Sequence, residues 1–128
     1  MANVFNDQKK FMVACGQTAD VTNTAQFNMY VDLINEEITE LMDALAAKDS
    51  VETLDALIDI LVVTVGALHS MGVDATGAWK EVMSTNFAKI DKDTGFVRRR
   101  EDGKILKPTN WQPPQLAQFI THSGAACS

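Results

Sequence analysis

Cysteine and proline are scarce in this 128-residue chain, and so is positive charge in its first two thirds. Two cysteines, Cys15 and Cys127, are too few for a disulfide framework in a chain with 46% hydrophobic residues, which can build its own core. No proline precedes Pro108, so nothing of that kind interrupts a helical first part. The longest apolar run, 56–68, contains Asp59 and falls short of the ~20 residues that a membrane span needs. The start, MANVFNDQKK, lacks the apolar stretch of a signal peptide. A soluble cytoplasmic protein without a membrane partner is expected. Residues 1–80 carry four basic and twelve acidic groups, and residues 81–128 seven basic and five acidic. An acidic body with a basic tail speaks against a nucleic-acid partner, which asks for a basic face.

Gly16, Lys48-Asp49-Ser50 and Gly72 punctuate the first 92 residues. The pattern predicts helices over 6–15, from a cap at Thr22, Asn23 or Thr24 to about 47, from a Ser50 cap to about 71, and from an Asp74 cap to about 89. Two long helices joined by three residues must run antiparallel. The fold class is therefore all-α, an antiparallel bundle of four or five helices. Residues 1–92 are expected to form the helical core. Residues 93–116 form a basic arm, with a hairpin turning at Asp102-Gly103 between Phe96-Val97 and Ile105-Leu106, packed on its own or a neighbouring subunit. Residues 117–128 read as a flexible tail.

At about 100° per residue, Phe27, Ile34, Ile38, Leu41 and Leu45 make a buried stripe on the second helix, with Glu36, Glu40 and Asp43 opposite and Glu37 on the border. On the third, Glu52, Asp55 and Asp59 share a narrow stripe that Gly66 continues, leaving space above it. From Ala56 to Leu68 the other directions are apolar or small, which predicts burial nearly all round. Asp59 has no Lys or Arg at i±3 or i±4, so it either caps a neighbouring helix or holds a cation. Glu36 and Asp43 read first as a solvated face. Together the two stripes gather four or five carboxylates that repel one another unless cations sit among them. All-oxygen ligands favour Mg²⁺, with Mn²⁺ as a substitute. Zinc lacks His or Cys here, and a di-iron bundle lacks its Glu-x-x-His. His69 and His122 read as structural or exposed, and Cys15, Met29, Met42 and Met71 as packing.

Glu37-x-x-Glu40 followed by Glu52-x-x-Asp55 resembles the paired acidic motif of the all-α nucleoside triphosphate pyrophosphohydrolases. That superfamily includes MazG, dimeric dUTPases, dCTP pyrophosphatase and phosphoribosyl-ATP pyrophosphohydrolase. The blocks LINEEITELMDAL, LDALIDILVVTVGAL, EVMSTNFAKID and EDGKILKPTNWQPP are similar to its phage and bacterial MazG-related branch. The second acidic pair reads as Glu52/Asp55 or as Asp55/Asp59. The resemblance implies cleavage of a nucleoside triphosphate such as dUTP, dCTP or dGTP between its α- and β-phosphates, with phosphoribosyl-ATP as the alternative substrate. A helical metal-binding or interaction protein without turnover is the rival from another class. The implied metal ligands are Glu37, Glu40, Glu52, Asp55 and Asp59, with Glu37 or Glu36 taking the proton of the attacking water. Asn86, Lys89, Arg98, Arg99, Arg100, Lys104 and Lys107 are the candidates for the phosphates; Arg98-Arg99-Arg100 reads equally as a solvated strand. Phe27, Asn28 and Tyr30 are candidates for the base, and Trp111 either covers it or packs the returning tail. The resemblance also implies a homodimer or homotetramer whose helices complete each bundle.

Overall fold

The computed structural model describes residues 2–120. Four α-helices follow one another: α1 Val4–Ala14, α2 Thr24–Ala46, α3 Ser50–Met71 and α4 Ala75–Phe87, with a short 3-10 turn at Ala117–Phe119. The chain is all-α, as its periodicity predicts, and no single helix among the described residues is long and apolar enough to cross a membrane. The chain divides into two compact units, one of residues 2–75 with Ile120 and one of Thr76–Phe119.

In the first unit, local chemistry sets each helix end. The Asn3 side chain accepts from the Phe5 and Asn6 amides, and that of Asn23 from the Gln26 amide. The cap of α3 is Asp49 rather than Ser50: its carboxylate accepts from Val51 and Glu52 N–H, and Ser50 becomes the first helical residue. A carboxylate there also faces the positive end of the helix dipole, an advantage a serine hydroxyl lacks. Gly72 ends α3 at φ +73°, and a Cβ on it would press against the Thr22 backbone.

α2 and α3 form the antiparallel hairpin, and α1 packs on α3. The core is a cross-helix layer of Met12, Tyr30 and Ala67, with Phe27, Leu33, Ile34 and Val63 packed against it. The space expected above Gly66 is filled, because the Tyr30 ring lies directly on it. Only Gly lets the ring come that close. Tyr30 is thus a core residue, its hydroxyl donating to Gln17 Oε1 at 2.5 Å.

α3 is not buried all round. Leu54, Leu57, Ile58, Leu61 and Val62 recur at i, i+3, i+4, i+7 and i+8 and remain 37–62% exposed. On α2, Ile38 and Leu45 of the expected buried stripe are half exposed, as is Met42, and Met29 and Cys15 are also exposed rather than packed inside. α2 and the short α1 do not supply enough surface to cover a helix that is apolar over so wide an arc.

In the second unit, α4 leads into the arm. Its hairpin is shorter than expected and shifted. Arg99 bridges Ile105 and Ile90 bridges Val97, while Gly103 turns the chain at φ +88°. Arg100 and Asp102 form a bidentate pair across this turn, which favours the tight loop over longer strands. Trp111 donates its indole N–H to the Thr85 carbonyl at 2.7 Å and so ties the arm to α4. The expected tail begins with the 3-10 turn; residues 121–128, with His122 and Cys127, lie outside the described residues.

Candidate active site

On α2 and α3 the helical repeat brings the carboxylates to one place. Glu37, Glu40 and Asp59 each offer an oxygen, and these oxygens lie within 4.8 Å of one another. Glu37 Oε2 is sealed from solvent and has no hydrogen-bond partner. Burial, then Glu40, Asp59 and Asp55, push the Glu37 carboxyl up to about 7. Asp59 is also raised, first by burial and then by Asp55 and Glu40. No cation is hydrogen-bonded or ion-paired to any of these groups among the described residues. An unpartnered buried oxygen amid like charges is the donor set a hard divalent ion satisfies.

Asp55 adjoins this group, acting on both Glu37 and Asp59. Glu52 lies towards the start of α3, where with Glu40, Asp43, Asp49 and Asp55 it lines an acidic hollow of about 540 Å³. Glu36 is exposed and does not join the cluster. Phe27 is half-buried against the core, and Asn28 is exposed.

The phosphate candidates all lie in the second unit and differ in how committed they are. Arg98 pairs with Asp91 at 3.4 Å and Arg100 with Asp102 at 2.6 Å. Lys89 donates to Asn86 and stands 5.2 Å from the centre of the Trp111 ring, with Lys107 4.6 Å from it. Arg99 and Lys104 are exposed and form no ion pair among the described residues. The Trp111 ring is thus engaged by two ammonium groups as well as by Thr85.

Residues 15–86, more than half of the chain, match the sequence profile of the family described as phosphoribosyl-ATP pyrophosphohydrolase. The chain belongs to the phosphoribosyl-ATP pyrophosphohydrolase family. No curated protein matches it at a significant level. Membership makes the chain a pyrophosphohydrolase of the MazG-like all-α superfamily, a hydrolase of phosphoric anhydrides. The matched span contains α2, α3, nearly all of α4 and the whole carboxylate cluster, and stops before the arm.

Sequence reasoning missed the polar layer beside this site. Gln8 is buried 3.5 Å from the Tyr30 hydroxyl, and Gln26 bridges the Thr18 carbonyl and Ser70 Oγ. Gln8 repeats on the α1 face with Met12, four residues on, which is the only signal the sequence carries for it.

The raised Glu37 carboxyl sets a pH dependence. A divalent ion takes the carboxylate form, so binding near pH 6 must expel a proton. Magnesium affinity is expected to rise with pH up to about 7 and level off above it. Calorimetry in buffers of different ionisation heat should find up to about one proton released per ion below that value. Without metal the sign for stability is opposite. The folded state holds the Glu37 proton more tightly than the unfolded chain, so stability falls as pH rises from ~4.3 to about 7. A proton count of zero at pH 6 would remove Glu37 from the ion's ligands.

Proposed function

We propose that this pyrophosphohydrolase hydrolyses a nucleoside or deoxynucleoside triphosphate between its α- and β-phosphates, releasing the monophosphate and pyrophosphate to control nucleotide pools in a bacterial or phage-infected cytoplasm. The observation that carries the reading is the convergence of Glu37, Glu40 and Asp59 within 4.8 Å around an unpartnered carboxylate oxygen. These residues with Asp55 fit Mg²⁺, or Mn²⁺ in its place. The ion, when bound, supplies charge neutralisation at the phosphate oxygens and makes water more acidic. With an ion bound, Glu37 would be a carboxylate, and an oxygen that the ion leaves free would take the proton of the attacking water. The water oxygen bonds to the α-phosphorus, the bond from the α-phosphorus to the bridging oxygen breaks, and pyrophosphate leaves with that oxygen. Among the described residues, Lys89, Arg99, Lys104 and Lys107 of the second unit have no carboxylate partner and are cations free to take a polyphosphate.

Phosphoribosyl-ATP stands as a second substrate reading, favoured by the family description itself. It contains the same α–β anhydride, so the cluster serves either. The test is pyrophosphate release with Mg²⁺ from the eight common NTPs and dNTPs and from phosphoribosyl-ATP. Turnover of phosphoribosyl-ATP alone would replace the triphosphate reading. Tight magnesium binding with no pyrophosphate from any of the nine would leave only the non-catalytic alternative.

A second copy of the chain, giving a dimer or tetramer, belongs to the same proposal. The aliphatic row from Leu54 to Val62 is the surface it would cover. A single-chain mass by sedimentation at micromolar concentration would refute it.

A further inference from the structure

Two ammonium groups converge on one indole in the second unit, and local chemistry brings each of them there. α4 ends at Phe87, and the Lys89 amide donates to the Asn86 carbonyl at 3.1 Å instead of reaching back to Thr85. The Thr85 carbonyl is thereby one of the orphan acceptors of a helix end. The Trp111 indole N–H donates to it at 2.7 Å, which sets the half-buried ring beside the helix terminus. Lys107, the residue before a proline, is held extended, and the turn that follows closes from the Trp111 amide to the Pro108 carbonyl at 3.0 Å. The Lys107 ammonium comes to 4.6 Å from the ring centre and that of Lys89 to 5.2 Å. Lys89 is fixed a second time by the Asn86 amide oxygen, at 3.2 Å.

We propose that Trp111 is a positioning residue that presets Lys89 and Lys107 for the anionic chain of a di- or triphosphate. The proposal rests on the reading that these lysines take the phosphates of the substrate. The indole N–H alone ties the arm to α4, and that tie has no use for a cation. Bringing two like charges to one ring costs repulsion, and neither has a carboxylate partner among the described residues. Asp91 and Asp102 are committed to Arg98 and Arg100, and Glu81 accepts from the Gln115 amide at 2.7 Å. The face of the ring attracts each ammonium but neutralises neither, so their charge stays available to an anion. An ammonium has three donors, and those turned away from the ring remain for phosphate oxygens. Fixing two rotamer-rich side chains beforehand removes an ordering cost that a ligand otherwise bears.

This role is separable from that of a structural tie. Trp111→Phe and Trp111→Leu both lose the bond to the Thr85 carbonyl, but only Phe keeps an aromatic face. A side chain that merely held the arm would suffer equally from both substitutions. A ring that positions lysines through its face is rescued by Phe and not by Leu.

The test is calorimetric binding of inorganic tripolyphosphate to the full-length protein in EDTA, where no divalent ion links the ligand to the carboxylates. The dissociation constant should rise about tenfold in Trp111→Leu and stay within about threefold of the wild-type value in Trp111→Phe. A Phe variant no better than Leu, unchanged affinity in both, or no binding to the wild type overturns the proposal. Tripolyphosphate bound in the expected order without turnover of any nucleotide would refute the proposed function alone. Turnover with tripolyphosphate binding indifferent to residue 111 would refute this inference alone. Where either variant fails to fold, carbon–proton correlation spectra of the wild type decide. The ε-methylene protons of two lysines should lie upfield through the ring current and move when tripolyphosphate is added. Lysine signals that are unshifted, or that stay still, overturn the proposal.

Discussion

Replacing Glu40 by glutamine is expected to lower pyrophosphate release by about 10²-fold or more while making the metal-free protein more stable. The two effects have one origin. Glu40 shares a space of under 5 Å with Glu37 and Asp59, and it is among the causes that raise both their carboxyls. With its charge gone, near pH 8 the remaining carboxylates repel less. Unit charges about 5 Å apart in a partly wetted site interact by a few kcal/mol at most, so a gain of about 1 kcal/mol is reasonable. For a chain of this size that raises the melting temperature by a few degrees. Activity is expected to fall because, in the proposed mechanism, the same charge is a ligand to the divalent ion. Glu37→Gln should cost ~10²–10⁴-fold through loss of the proton acceptor. Thermal melts in EDTA beside pyrophosphate assays in Mg²⁺ check both signs. A purely structural glutamate would lower stability and activity together, and that outcome would sink the catalytic assignment.

The second large effect lies one heptad away. Tyr30 and Glu37 are seven residues apart on α2, and Asp59 and Gly66 seven apart on α3, so in the antiparallel pair the Tyr30–Gly66 layer stacks beside the carboxylate layer. A Cβ at position 66 would stand 2.6 Å from Tyr30 Cδ1 and Cζ. Gly66→Ala must displace the ring from the core and disturb its bond to Gln17. Overpacking of this kind costs about 1–3 kcal/mol, against roughly 1 kcal/mol gained from helix propensity. We expect net destabilisation of about 1 kcal/mol, and at most about 2. Tyr30→Ala alone should cost about 3 kcal/mol or more, and in that background Gly66→Ala should become neutral or stabilising. If Gly66→Ala stabilises the wild type in urea melts, the ring does not rest on the glycine.

Much of this was readable before any coordinates, for reasons that differ by feature. Asn23 and Gly72 act on their own helix, so a few neighbouring residues disclose them. The angular repeat shows acidic stripes on two helices whose order and direction the short turn dictates, but it groups Glu40 with Glu36 and Asp43 and leaves Glu37 on the border, so selecting Glu37, Glu40 and Asp59 needs the packed geometry. Periodicity also shows that α3 is apolar over a wide arc, but it does not tell whether the chain itself covers that arc, and Leu54 to Val62 are left uncovered. The Tyr30–Gly66 contact needs the axial register of two helices, to which composition is blind. The contact between the His69 ring and the Phe5 carbonyl spans 64 positions, and no local pattern marks either end. Asp49 and Ser50 are both good caps, and the extended backbone at Asp49, φ −97° and ψ 102°, with its carboxylate's bonds to the Val51 and Glu52 amides, decides between them.

The turn between Ala46 and Ser50 has one further consequence, which concerns time. Every cluster carboxylate belongs to a single hairpin closed by Ala47, Lys48 and Asp49, so no distant strand of chain must be recruited to build it. Such short-range pairing belongs to the fast class of folding events. The crowding of negative charge is therefore met early, on the way to the native state rather than at its end. Magnesium ions in the medium should accordingly hasten refolding as well as strengthen its product, and a stopped-flow rate indifferent to them would place the pairing of these helices after the rate-limiting step.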